Sequence, residues 1–156
     1  MKFEKKSMEI NLEQQKLISS TLRVKIIYLL AENQMTAKQV ADEVGKTPGS
    51  IHYHIQQLYN GGILEITETK ENRGIMEKYY RSKATHFVLK GVELAYVKKG
   101  TSRTNLSLTE EEKQAFDDDI DALIMKYIKM TVKEREGRKP YIFEFRVEEM
   151  TEEEKE

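Results

Sequence analysis

Hydrogen-bonding side chains are concentrated in residues 46–57, where they alternate with a few apolar positions. If this segment is a helix with Ile51, Ile55 and Leu58 turned inward, the polar side chains between them point outward or sideways. Glutamine can form two hydrogen bonds with adenine, and serine, threonine, histidine and tyrosine can bond bases or phosphates. Six residues are therefore candidates for contact with duplex DNA: Thr47, Ser50, His52, Tyr53, Gln56 and Gln57. The alternative is an ordinary solvated face of a protein-binding helix.

Basic side chains lie before and after this polar segment. Lys70 and Arg73 occupy a short polar stretch where a guanidinium can enter the minor groove or hold phosphates. Weaker phosphate candidates are Lys46, Lys78 and Arg81. A solvated loop arginine is the competing interpretation of Arg73.

Neither a metal site nor an enzyme motif is evident. His52 and His54 are two residues apart, so they cannot share a helix face, and His54 lies at the margin of the apolar face. The acidic residues 117–121 lack the glycine and the ligand spacing of a calcium loop. We find no phosphate-binding glycine loop, catalytic carboxylate pair, or serine or cysteine nucleophile motif. We expect no metal, no cofactor and no catalysis.

Two short helices with clear start and stop signals carry these residues. Residues 36–39 form a capping box, Thr-Ala-Lys-Gln, and predict a helix that ends near Val44 with Gly45 as its turn glycine. Thr47 and Pro48 then predict the start of a second helix, because threonine caps free amides and proline suits the first helical position. Residues 60–62, Asn-Gly-Gly, end it. This order predicts a helix-turn-helix.

The flanking segments supply a hairpin and a preceding helical region. Residues 9–31 have helical apolar spacing and predict one or two helices. Residues 63–69 and 75–81 alternate with period two around the polar residues 70–74, which predicts a β-hairpin, the wing. Residues 84–98 are apolar without one clear period, so strand and helix both remain open.

A second region begins after a predicted linker at residues 100–105. Residues 107–110 offer a cap, and a long helix is expected to run to Gly137. Its apolar stripe is the predicted dimerisation surface: Phe116, Ile120, Leu123, Ile124 and Tyr127. Residues 141–147 alternate and predict a strand, and the acidic residues 151–156 predict a disordered tail.

The balance of basic and acidic side chains changes at the end of the predicted linker, near residue 105. Residues 1–105 contain 17 basic and 11 acidic side chains, whereas residues 106–156 contain 9 and 16. This asymmetry favours a nucleic-acid-facing part followed by an acidic remainder. A chance distribution of solvated surface charge is the alternative.

Composition and hydropathy exclude several classes of protein. The 156 residues include no cysteine, which excludes disulfide frameworks and thiolate zinc sites. The N-terminus lacks the apolar run of a secretory signal, and no apolar stretch is long enough to cross a bilayer. We therefore expect a cytoplasmic protein that has no membrane partner.

Several of these segments resemble the winged helix proteins of the arsenical-resistance-repressor (ArsR) type. Residues 18–30 resemble the first helix of that family, residues 36–45 its first helix-turn-helix segment, and residues 50–58 its recognition helix. Residues 61–64 and 78–81 resemble the helix exit and the returning wing strand. The resemblance covers about half of the chain. It implies a homodimer that represses transcription from duplex DNA until an effector weakens binding.

Two features depart from the metal-sensing members of that family. Residues 37–44 offer no thiol, and residues 109–136 contain no histidine. The sequence is therefore more similar to members with an added C-terminal segment, and a small-molecule effector of unknown identity is the remaining expectation.

These observations together predict an α+β fold, a winged helix-turn-helix with a C-terminal dimerisation helix and a short strand. The predicted domains are 9–98, which binds DNA, and 106–149, which carries the dimerisation and effector functions. The predicted function is sequence-specific regulation of transcription, as a repressor and homodimer. A winged helix that binds proteins is the main alternative, and an RNA-binding winged helix is the third.

Overall fold

The computed structural model describes residues 6–90 and 104–151. Within them the chain forms four helices, a hairpin and a second strand pair before the long C-terminal helix. In chain order these are β1 (Ser7–Ile10), α1 (Leu12–Ile18), α2 (Thr21–Glu32), α3 (Ala37–Val44), α4 (Pro48–Asn60), β2 (Leu64–Asn72), β3 (Ile75–Ser82), β4 (His86–Leu89) and α5 (Glu110–Thr131).

The region before the helix-turn-helix contains two helices and one strand. The helices separate at Ser20, whose hydroxyl accepts a hydrogen bond from the Arg23 amide and caps the start of α2. Asn11 and Gln14 form a capping box at the start of α1. The preceding strand β1 was not expected from the sequence, because its four residues fit both the two-residue period of a strand and the roughly 3.6-residue period of a helix.

The helix-turn-helix signals are confirmed residue by residue. Thr36 and Gln39 form the capping box of α3, and Gly45 ends that helix in the left-handed conformation at φ 69°. Thr47 caps α4, and Pro48 occupies its first turn. The turn between the two helices is therefore fixed by capping bonds at both of its ends.

One apolar core joins the helices to the base of the hairpin. Its fully buried side chains come from α2, α3, α4 and the start of β2: Ile26, Leu30, Val40, Val44, Ile51, Ile55, Leu58, Ile63 and Leu64. The inward face predicted for α4 is thus confirmed. Burying each such side chain stabilises the fold by roughly 1.5–3 kcal/mol.

The wing is a longer and tighter hairpin than the sequence predicted. Strands β2 and β3 pair antiparallel from Leu64 and Ser82 out to Asn72 and Ile75. Only Arg73 and Gly74 form the turn, with φ values of 52° and 80°. Two consecutive positive φ values match the right-handed twist of the strands, as in a type I′ turn. The predicted loop 70–74 is therefore wrong at residues 70–72, which belong to β2.

The segment after the wing returns to the N-terminus. Strand β4 pairs in parallel with β1, from Ser7 and His86 to Ile10 and Leu89. The choice between strand and helix for residues 84–98 is thus settled as strand for residues 86–89. Residues 91–98, most of the predicted linker 100–105, and nearly all of the predicted tail 151–156 lie outside the described residues.

Helix α5 packs one face on α2 and ends earlier than predicted. Met125 and Ile128 contact the core, and Val132 is buried against it. The helix ends at Thr131, where the Arg138 guanidinium donates to the Met130 carbonyl of the last turn and to the Lys133 carbonyl beyond it. Gly137, at φ 84°, lies in the turn that follows. The predicted end at Gly137 is therefore wrong.

The strand predicted at residues 141–147 is not formed in the single chain. These residues form no strand in the structure, and their side chains are exposed. The alternating pattern needs a neighbouring strand to bond its backbone, and within the described residues none lies beside it.

The architecture is therefore an α+β winged helix-turn-helix with a C-terminal helix. No helix in residues 6–90 or 104–151 is both long and apolar enough to cross a membrane.

Candidate nucleic-acid interface

The start of α4 presents polar groups to solvent. The Thr47 hydroxyl accepts a hydrogen bond from the Ser50 amide at 3.3 Å, and both residues are exposed. Pro48 has no amide hydrogen, so Gly49 supplies the free N–H of the first turn, and there is open space around its Cα. A helix start with a free amide and two hydroxyls is suited to a phosphate oxygen.

The outer face of α4 carries two exposed rings. His52 is exposed, and Tyr53 is 57% exposed with its ring edge-on to the His54 imidazole, 5.3 Å away. Gln57 is half-buried beside them. The structure therefore leaves Thr47, Ser50, His52 and Tyr53 exposed to solvent, as expected from the inward placement of the apolar residues of α4.

Gln56 is positioned differently from those four residues. Its side chain is half-buried, and its amide nitrogen donates to the Tyr80 hydroxyl at 3.1 Å. Burial raises the pKa of Tyr80, so its phenol remains neutral. Tyr59 packs edge-on against the same ring. The Gln56 amide thus joins the recognition helix to the wing, a role that a single-helix pattern cannot reveal because the partner lies 24 residues away.

His54 connects α4 to α2. Its Nδ1 accepts a hydrogen bond from Arg23 Nε at 3.2 Å, and Arg23 also donates to the Leu17 carbonyl. Burial and the neighbouring Arg23 charge lower the pKa of His54, so the ring is neutral at neutral pH. The expectation of a boundary histidine agrees with this geometry. Arg23 was missed at the sequence level because its partners are distant in the chain.

The three cations predicted to contact DNA differ in their availability. Lys70 pairs with Glu68 at 3.2 Å and lies over the Tyr79 ring. Lys46 pairs with Glu134 at 3.7 Å. Arg73 projects from the turn of the wing and is exposed. A phosphate would compete with a carboxylate for either lysine, whereas Arg73 has no ion pair within the described residues.

Glu134 also links the C-terminal region to the helix-turn-helix. Its carboxylate pairs with the buried Lys25 of α2 at 3.2 Å, in addition to Lys46. The hydrogen bond and charge of Lys25 lower the pKa of Glu134. The segment after α5 is therefore held beside the turn that precedes the recognition helix.

The predicted dimerisation residues form a face on α5 that the chain leaves open. The side chains at positions 116, 120, 123, 127 and 130 repeat at alternating four- and three-residue spacings. Phe116, Leu123, Tyr127 and Met130 are exposed, and Ile120 is half-buried. Ile124 borders them and is 37% exposed. We call these six residues the α5 stripe. It faces away from Met125 and Ile128, which contact the core.

Residues 6–90 and 104–151 contain no cluster of three or more histidine or acidic side chains placed to hold a metal ion. The acidic residues 117–121 are engaged differently. Asp117 pairs with Lys113, and Asp121 pairs with His86 of β4 at 2.8 Å.

A compact helix-turn-helix with an exposed polar recognition helix and an arginine-tipped wing defines the winged helix class of DNA-binding proteins. The sequence profile of the arsR family of bacterial regulatory proteins matches residues 20–65. The helix-turn-helix of this chain is therefore similar to that of the arsR family of bacterial regulatory proteins.

Solved structures similar to the chain include three proteins. HlyU from Vibrio cholerae N16961 is 15% identical at a TM-score of 0.37, over 46% of this chain and 72% of that one. The transcriptional repressor BigR from Xylella fastidiosa is 22% identical at a TM-score of 0.37, over 47% and 68%. HlyU from Vibrio vulnificus CMCP6 is 15% identical at a TM-score of 0.37, over 46% and 69%. No curated protein matches the chain.

Proposed function

We propose that the protein is a homodimeric repressor that reads a specific duplex operator with α4 and holds phosphates with the wing. The observation that carries this proposal is the exposure of Thr47, Ser50, His52 and Tyr53 on a helix whose apolar face, Ile51, Ile55 and Leu58, is fully buried. A two-fold dimer presents two such helices. The operator is then expected to be roughly palindromic, with half-sites about one helical turn apart.

Selection of bound genomic fragments, followed by a salt titration on the recovered duplex, tests the proposal. Lysine and arginine contacts release counterions from the phosphates, so affinity should fall steeply from low to moderate salt. Failure to shift any duplex at low salt would refute DNA binding and favour a protein-binding winged helix.

The dimer in this proposal is formed by the α5 stripe. Exposed apolar side chains at heptad-like spacing on a 22-residue helix are typical of a seam between helices. In the single chain, four of the stripe residues are at least 40% exposed. We expect a second copy to cover them, and we assign DNA binding to residues 9–98 and dimerisation to residues 106–149.

Regulation by an effector would use the cleft between α5 and the wing. The cleft has a volume of about 1110 Å³, slightly above the roughly 300–1,000 Å³ of most ligand pockets. Burial and the Glu32 carboxylate raise the pKa of Tyr28 to about 12, so this wall carries a neutral phenol. Two carboxylates, Glu32 and Glu65, are outnumbered by five cationic side chains: Lys6, Arg81, Lys83, Lys126 and Lys129. An organic anion is therefore the ligand class that the cleft favours.

A thermal-shift screen of small carboxylates and phosphate esters tests the cleft. A compound that stabilises the wild type should lose its effect in Lys83→Glu, because the charge that attracts it is reversed. Equal stabilisation of both proteins would place the binding site elsewhere.

A further inference from the structure

Residues 140–147 combine a strand pattern with almost complete exposure. Phe143 is 77% exposed and Ile142 is 91% exposed. Tyr141, Phe145 and Val147 are exposed as well, although their alternation gives the segment one strongly apolar face. Aromatic side chains gain much free energy on burial, and an extended backbone needs hydrogen-bond partners. The alternating side chains of this segment are therefore suited to pairing with a neighbouring strand.

The chain exit from α5 fixes where this segment starts. The Arg138 guanidinium donates to the Met130 carbonyl at 3.1 Å and to the Lys133 carbonyl at 2.7 Å. Met130 is also the last residue of the α5 stripe. The extended segment therefore leaves the helix end beside the surface through which the proposed dimer forms.

The order of charges identifies a second copy of the same segment as the partner. Glu144 and Arg146 lie two residues apart, so they share the face opposite the aromatic residues. In an antiparallel pair centred on Phe145, each Glu144 lies opposite the partner copy's position 146, which is an arginine. Phe145 meets its own equivalent, and Phe143 meets position 147, a valine.

Neighbouring registers do not share this complementarity. Centring the pair on Glu144 places two glutamates directly opposite each other, and centring it on Arg146 does the same with two arginines. Like charges directly opposite each other destabilise a sheet, whereas opposite charges and aromatic pairs stabilise it. A shift by one residue places charged side chains against aromatic ones. Among these registers, the one centred on Phe145 is the one that places opposite charges together on one face and apolar side chains together on the other, with Ile142 opposite Glu148 at its two ends.

We propose that residues 142–148 of two copies pair as an antiparallel ribbon centred on Phe145. The ribbon is a second intersubunit element, and it rests on the homodimer proposed above. A two-stranded ribbon is marginal in water by itself. Its aromatic face therefore packs where the ribbon begins, against the ends of the two α5 stripes.

A single cysteine introduced at position 145 tests the register, since the full chain contains no cysteine of its own. Directly opposed residues in an antiparallel pair have Cα atoms about 4.5–5.5 Å apart, within the range of a disulfide. Phe145→Cys should therefore form a disulfide-linked dimer under mild oxidation. Ile142→Cys is the matched control. Its equivalent in the partner lies about 20 Å away at a strand rise of about 3.4 Å per residue, so this variant should remain monomeric on a non-reducing gel.

Charge reversal in the Phe145→Cys variant distinguishes cross-linking within a paired ribbon from cross-linking by random collision of two chains. Glu144→Arg and Arg146→Glu should each slow cross-linking, and the double reversal should restore it, because it recreates the opposite-charge pairs. Equal cross-linking of the Ile142→Cys and Phe145→Cys variants, or no rescue by the double reversal, overturns the ribbon.

The outcome is separable from that of the proposed function. Wild-type sedimentation and duplex binding report the homodimer and DNA binding, whereas only the cysteine variants report the ribbon. If the protein is dimeric and binds DNA but its Phe145→Cys variant does not cross-link, the ribbon alone is refuted. That result would direct the search to pairing of this segment with another strand of its own chain.

Discussion

Tyr53 is an exposed side chain of the recognition helix that is free to meet a base. It is 57% exposed, and its nearest aromatic neighbour is the half-buried His54. We predict that Tyr53→Ala lowers the discrimination between operator and unrelated duplex by about 1–3 kcal/mol. Tyr53→Phe is the control that separates the hydroxyl from the ring. Competition binding measures the effect, and an unchanged preference in Tyr53→Ala would remove this residue from base reading.

We expect Gln56 to contribute to the stability of the folded protein. Its amide bonds Tyr80, so Gln56→Ala removes one half-buried hydrogen bond and should lower the free energy of unfolding by about 1 kcal/mol. Tyr80→Phe should cost a similar amount, and the double variant should cost less than the sum of the two single changes. Denaturant unfolding of the four proteins gives the coupling, and strict additivity would contradict a working Gln56–Tyr80 bond.

His54 gives the fold a pH dependence with a definite sign. Its pKa is lowered from 6.5 in the folded protein by burial and by Arg23. The unfolded state therefore takes up this proton first as pH falls, and the contribution present above pH 6.5 is lost below it. We predict that stability decreases more steeply with acidification in the wild type than in His54→Asn, whose amide oxygen can still accept from Arg23. Parallel pH profiles would show that His54 does not contribute.

At the scale of elements, prediction from sequence succeeded where the signal is local. The caps at Thr36 and Thr47 and the glycine at position 45 are decided by bonds within four residues, and all three are found as expected. The recognition face follows from the same local geometry. The end of α5 was misplaced because it depends on Arg138 reaching back to Met130. The segment 141–147 was misplaced because a strand is a property of two segments.

The wing turn offers a test that separates charge from conformation. Arg73 has φ 52°, a region that costs most residues about 1–2 kcal/mol but that asparagine tolerates. Asparagine followed by glycine also favours the type I′ turn. We predict that Arg73→Asn keeps or raises thermal stability, weakens binding to all duplexes about equally, and lowers the salt slope by about one. A selective loss for the operator would instead make Arg73 a base-reading residue.

At the scale of the whole molecule, the C-terminal region is joined to the winged helix by the apolar packing of α5 on α2 and by a few polar contacts. Glu134 bonds Lys25 and pairs with Lys46, and Asp121 pairs with His86. These contacts connect α5 to α2, to the turn before α4, and to β4. A change in how two copies meet along α5 can therefore reach the recognition helix without unfolding the winged core.

The α5 stripe decides whether this coupling operates between two subunits. Leu123 is 48% exposed at the middle of the stripe, and a carboxylate placed there would be costly at a dry interface. We predict that Leu123→Glu leaves the winged core folded but shifts the protein toward monomer. Operator affinity should fall with it, since one half-site is then held without help from the other.

Ala115→Glu is the matched control, because it adds the same charge to an exposed α5 position outside the stripe. Analytical ultracentrifugation at micromolar concentration measures the shift. A monomeric wild type would refute the dimer, and a Leu123→Glu protein that remains dimeric would place the interface on another surface.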